Sequence, residues 1–178
     1  MARATQAAGE IHTLFSGVRP VYLLYRGHSK GAAYCGRLVL EEVARTPAIA
    51  MGAAEFRQGP NEVIDQRFGA VVFAPDGKQG ELNRALAADI QRSGGRVMLV
   101  GSAPESSGGP AANAGLEDNP GLWVFPIPAA AEDLRAALEV VPVQSLAYQM
   151  ASAQGYPPGQ VRYISKVILT EEGIPNEG

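Results

Sequence analysis

Cysteine and histidine are almost missing from these 178 residues. The single cysteine, Cys35, excludes an intrachain disulfide framework and any multi-cysteine metal site. The two histidines, His12 and His28, fall on separate predicted elements, which argues against a dedicated zinc site. Charge is balanced: 15 Lys and Arg against 18 Asp and Glu give a net charge of −3 and a pI near 5.4, with no broad electrostatic footprint for nucleic acid. A local positive pocket for a small acidic ligand stays compatible with that balance. No apolar run approaches the ~20 residues that span a bilayer, and Met1 to Glu10 lack the apolar stretch of a secretory signal. The chain therefore reads as soluble, with no membrane partner and a reducing cytoplasm as its compartment. No Gly-x-Gly-x-x-Gly or Walker pattern follows a strand, which argues against a dinucleotide or nucleoside triphosphate, and no cofactor is expected.

What is present is a full core: 46% hydrophobic and 19% charged residues suit one globular domain over 1–178. Short apolar runs alternate with helical stretches. Val21–Tyr25, Ala48–Met51, Gly69–Ala74, Arg96–Val100 and Leu122–Pro126 read as strands. Helices are predicted over Thr5–Phe15, from a Ser29 cap to about Arg45, over Gln79–Ser93 and over Ala131–Gln154, with a kink or two meeting helices at Pro142. Strands separated by helical crossovers predict a three-layer α/β/α sandwich around a five-stranded parallel sheet. Ligands of such sheets sit at the carboxyl ends of strands, so Arg26–Ser29, Ala74–Lys78 and Gly101–Gly109 form the candidate rim.

In the first long helix, Cys35, Leu38, Val39 and Glu42 recur at i, i+3, i+4 and i+7, so that a carboxylate closes an apolar stripe. Two readings of Glu42 follow. Desolvated on that stripe, its pKa would rise toward the range of a general base. At the helix end, it would instead reach water or pair with Arg45 or Arg37. Cys35, on the same face, reads as inert core.

Sixteen residues after Glu42 comes Glu55-Phe56-Arg57-Gln58-Gly59-Pro60, and near the end Arg162-Tyr163-Ile164-Ser165-Lys166-Val167. Together they resemble the second sugar-isomerase (SIS) domain of isomerising glucosamine-fructose-6-phosphate aminotransferase and of related ketosamine-phosphate deglycases, over roughly residues 18–171. The resemblance implies a flavodoxin-like SIS fold, with a core of about 18–160 and a C-terminal tail, 161–178, packing over the site. It implies that Glu42 moves a proton between sugar C1 and C2, and that Lys166 reaches the sugar phosphate from the tail. Gln58 stands where the family has a ring-opening histidine, and Val39 where it has a lysine, so that machinery is incomplete. Pro142-Val143-Gln144-Ser145-Leu146-Ala147-Tyr148 resembles a helix start of the same family and argues for packing.

Paired SIS enzymes bind the phosphate in the first domain through a Ser-x-Ser-Gly-x-Thr loop at a helix N-terminus, and no such sequence occurs here. Ser102, Ser106, Ser107, Gly108 and Gly109 read as a plain surface loop, and Gly27-His28-Ser29-Lys30 is the better anion candidate. The substrate-binding set is therefore Arg26, Gly27, His28, Ser29, Glu55 and Arg57, beside catalytic candidates Glu42, Gln58 and Lys166. The expected partner is a sugar phosphate of the fructose 6-phosphate or glucosamine 6-phosphate class, bound by a homodimer or by pairing with a first SIS half. A non-catalytic sensor or assembly module and a self-sufficient oligomeric isomerase stay open. Glutaminase activity is not expected, because the aminotransferase's nucleophile domain has no counterpart in these residues.

Overall fold

The computed structural model describes residues 13–102, 121–128, 130–157 and 159–163. Five strands form one parallel sheet: β1 (Val21–Tyr25), β2 (Ala48–Gly52), β3 (Gly69–Ala74), β4 (Arg96–Ser102) and β5 (Leu122–Ile127), in the order β2-β1-β3-β4-β5. Four α-helices accompany them: α1 (Lys30–Glu42), the single-turn α2 (Ala53–Phe56), α3 (Lys78–Arg92) and α4 (Glu132–Ala153). The strands and the three long helices match the sequence reading. The leading helix is described only at 13–15, where it is helical, and the rest of it lies outside the described residues.

Both sheet faces are covered, and for that reason the strands read as continuous apolar runs. On one face Val21, Leu23, Val71, Phe73, Met98 and Val100 pack with Ala32, Ala33 and Leu40 of α1 and Val143, Leu146 and Ala147 of α4. On the other, Leu24, Ala70, Val72, Val97 and Leu99 pack with Phe56 of α2 and Leu86, Ala87 and Ile90 of α3. The chain reverses its direction of winding between β1 and β3, the switch point of this strand order.

The inward face of α1 consists of Ala32, Ala33, Gly36 and Leu40. A side chain at Gly36 would meet Leu23 Cδ2 and Val143 Cγ1, both at 2.9 Å, so only glycine lets the helix approach β1 and α4 this closely. The predicted apolar stripe is consequently corrected. Cys35, Leu38 and Glu42 are exposed, Leu38 at 47%, and Cys35 is not core. Small residues won the buried face because they minimise the helix-to-sheet distance.

A second correction concerns Pro142, which does not divide the helix in two: α4 runs from Glu132 to Ala153 with the proline inside it. Proline removes a backbone donor, but Val143, Leu146 and Ala147 are fully buried just beyond it and hold the helix through tertiary packing. The glycine stops after α3 and α4 act as expected: Gly94 at φ 88° and Gly155 at φ 72° turn the chain so that the next amides, of Gly95 and Tyr156, donate back to the Ile90 and Ala151 carbonyls. No helix among the described residues is long and apolar enough to cross a membrane.

Two α1 glycines should therefore respond oppositely to alanine. Gly36→Ala forces overpacking and should cost about 1–3 kcal/mol. Gly31→Ala, whose nearest contact would be an ordinary 3.8 Å to Ala136, should gain up to about 1 kcal/mol from helix propensity. Urea denaturation of both variants measures the contrast; equal effects would refute the packing argument.

Candidate functional site

The residues singled out in the sequence occupy two ends of the sheet. Glu42 is the last residue of α1, and the chain then turns back through Arg45, Thr46 and Pro47 into β2. The Val21 amide donates to the Pro47 carbonyl at 3.0 Å, so this turn lies beside the start of β1, at the amino end. Glu55, Arg57 and Gln58 follow Gly52, which pairs with Tyr25 at the carboxyl end. β2 alone separates the two groups by about 13–16 Å. Arg26–Ser29 also lie at the carboxyl end, where α1 begins, about 20 Å from Glu42 along the helix. One chain thus does not bring Glu42 together with Gln58 or with the Arg26–Ser29 turn.

At the carboxyl end the predicted binding groups are largely engaged with the protein itself. Arg26 Nε donates to Asn83 Oδ1 at 2.9 Å, and Asn83 Nδ2 donates to the Phe73 carbonyl at 2.6 Å. Gly27, at φ 55°, lies under Gln79, whose Oε1 a Cβ would meet at 2.3 Å. Ser29 occupies the N-cap position of α1, but its hydroxyl caps no amide; it is buried near Glu139. His28 and Lys30 are exposed. Arg57 is held by Asp89 of α3 at 2.6 Å, while Phe56 anchors the segment in the core and leaves Glu55 and Gln58 exposed.

Sequence reasoning missed the polar layer under this edge. Glu139 and Arg135 of α4 and Asn83 and Arg84 of α3 are buried. Arg135 contacts Asp76 at 2.5 Å and Glu139 at 3.5 Å. Burial pushes the Glu139 carboxyl above the usual range, against the opposing pull of Ser29, Arg135 and His28. Burial likewise lowers the Arg84 guanidinium. The signal was present in the i, i+4 run Arg135, Glu139, Val143, Ala147, a helical face whose first turns are charged.

The amino end offers open space. A groove of about 470 Å³ is lined by Leu38, Glu41, Glu42, Arg45, Thr46, Pro47 and by Val161, Arg162 and Tyr163 of the C-terminal segment. Its volume is in the ~300–1,000 Å³ range of small-molecule sites. Neither pairing considered for Glu42 forms: Arg37 contacts Glu41 at 3.7 Å, and Glu42 has no ion-pair partner among the described residues. Lys166 and the Ser106–Gly109 loop lie outside the described residues.

Comparison with solved structures gives this arrangement a frame. The C-terminal domain of glucosamine-fructose-6-phosphate aminotransferase from Francisella tularensis superposes with a TM-score of 0.73 at 22% identity, covering 88% of this chain and 41% of that one. The chain has the SIS fold. Tagatose-6-phosphate ketose/aldose isomerase from Escherichia coli matches over 93% of this chain and 45% of its own, with a TM-score of 0.64 and 19% identity. In sequence, the chain is 29% identical over 156 residues to the isomerizing glutamine–fructose-6-phosphate aminotransferase of Bradyrhizobium diazoefficiens. It is 28% identical over 170 residues to that of Vibrio vulnificus. These alignments cover 88% and 96% of this chain, which spans about a quarter of the length of the curated relatives it matches, 24% and 25%. No family profile matches the chain.

The buried Glu139 sets a pH dependence. Its folded pKa is above its unfolded value, so the folded state holds the extra proton and stability falls as pH rises from about 4.3 through the folded pKa. Glu139→Gln, neutral throughout, should flatten that decline. Urea midpoints measured from pH 4 to pH 8 check it; parallel curves for the two proteins would place the proton elsewhere.

Proposed function

We propose that this SIS chain binds a sugar phosphate in the amino-end groove and acts as the second half of a sugar-phosphate isomerase or deglycase. The observation that carries this reading is the convergence on one groove of Glu42 with Val161–Tyr163, the residues that lead to Lys166. The similarity to aminotransferases acting on fructose 6-phosphate supports the substrate class.

In this reading the Glu42 carboxylate removes a proton from the carbon beside the sugar carbonyl and returns it to the adjacent carbon, so that the carbonyl moves by one position without net gain or loss of atoms. Lys166 offers a cation to the oxygen that gains charge as the proton leaves. Gln58 can orient a ring oxygen by hydrogen bonding but cannot carry the proton that opens the ring. Because Gln58 lies at the opposite end of the sheet from Glu42, a site that uses both draws on two chains, either a second copy or a first SIS half. The titration-silent Gln58 also favours a second reading, a phosphosugar sensor that keeps the groove and has lost turnover.

Calorimetric titration with fructose 6-phosphate and glucosamine 6-phosphate separates these outcomes. Binding between about 1 μM and 1 mM is expected, weakened at least tenfold by Lys166→Ala. Gln58→His should raise isomerisation if the chain is a weakened enzyme and leave it at zero if it is a sensor. Absence of any sugar-phosphate binding would refute both.

A further inference from the structure

The groove contains two cations that the proton-transfer reading does not use. We infer that Arg45 and Arg162, placed on either side of Tyr156, form its phosphate-binding wall and stand in for the serine loop that this chain lacks. This inference rests on the groove being the sugar-phosphate site.

Three observations carry it. Arg45 is the only non-glycine residue with positive φ among the described residues, at 50°. Left-handed backbone is unfavourable for a side chain with a Cβ, and a glycine would serve the turn better. An arginine kept at such a position points to work done by its side chain. Secondly, that side chain is held in place: its guanidinium carbon is 4.3 Å from the centroid of the Tyr156 ring, and Nη2 donates to the Gln160 carbonyl at 3.4 Å. Arg162 approaches the same ring at 5.9 Å. Tyr156 is itself fixed, its amide bonded to the Ala151 carbonyl at 2.9 Å beyond the end of α4.

Thirdly, both guanidinium groups keep donors for a ligand. Neither Arg45 nor Arg162 forms an ion pair with a carboxylate among the described residues, although Glu41 and Glu42 line the same groove. Glu41 is offset by Arg37, which lowers the repulsion an incoming dianion meets. Arginine presents a planar fork that matches phosphate oxygens, and stacking on an aromatic ring removes part of the entropy lost on binding. The ligand class is a phosphate monoester whose sugar carbons extend toward Glu42.

The test is calorimetry of the full chain with inorganic phosphate and with fructose 6-phosphate, using Arg45→Gly, Arg45→Lys, Arg162→Ala and Arg92→Ala, the last a control for loss of one charge on α3. Arg45→Gly relieves the backbone and should melt no lower than the parent protein, yet bind both ligands about tenfold or more weakly. Arg162→Ala should lose a similar factor. Arg45→Lys should recover part of the loss, and Arg92→Ala should bind like the parent. Unchanged affinity in folded Arg45→Gly and Arg162→Ala would overturn the arginine wall while leaving the sugar-phosphate reading intact. Arginine-dependent phosphate binding with no preference for fructose 6-phosphate would support the wall and overturn the sugar reading. If neither ligand binds, both are overturned.

Discussion

The close seating of α1 on β1 and α4 is the constraint on which the rest of this structure depends. Glycine and alanine occupy its inner face, and Gly36 sits where any Cβ would intrude on Leu23 and Val143. With small residues on most of the inside and Leu40 the one large side chain buried there, the other large side chains of the helix turn outward or sit at its margin. Tyr34 and Leu38 are therefore about half exposed, and Glu42 ends the helix beside a groove rather than in the core. The parallel pairing of β1 with β2 fixes the direction of α1, which begins at the carboxyl end of the sheet and ends at the amino end. That direction decides which candidate residues can meet.

Parallel sheets of this order usually bind ligands at their carboxyl edge. Here that edge is occupied by its own side chains. Arg26 is committed to Asn83, Gln79 covers Gly27, and Ser29 turns toward Glu139. A buried carboxylate with a raised pKa and a guanidinium in contact with it are expensive to desolvate, and their mutual attraction offsets part of that cost. The result is a buried polar layer from α3 and α4 beneath the start of α1. Among the described residues, a groove with Glu42, Arg45 and Arg162 outside any ion pair lies at the amino edge, where the C-terminal segment returns.

Much of the fold was legible because the relevant signals are local. Val21–Tyr25 and Gly69–Ala74 are apolar runs bounded by turn residues, and Gly94 and Gly155 mark helix ends by backbone conformation alone. The face of α1 was misread because apolar periodicity favours large residues, whereas the decisive property was the smallness of Ala32, Ala33 and Gly36. Pro142 was misread because a local penalty was outweighed by burial on both sides of it. The split of the candidate site was not legible from spacing. Sixteen residues separate Glu42 from Gln58, yet a helix end, a turn and a strand carry them to opposite ends of the sheet. Glu139 and Arg135 escaped notice because each looks like an ordinary helical charge until α4 is docked.

The proposed ligand site is at the amino end of the sheet, against the usual preference of this fold. Amide chemical-shift mapping of the full chain during titration with fructose 6-phosphate tests it most directly. Perturbations concentrated on Leu38, Glu42–Thr46 and Val161–Tyr163 are predicted. Perturbations concentrated on Arg26–Ser29 and on Gly80–Arg84 would put the ligand at the carboxyl edge and contradict the account.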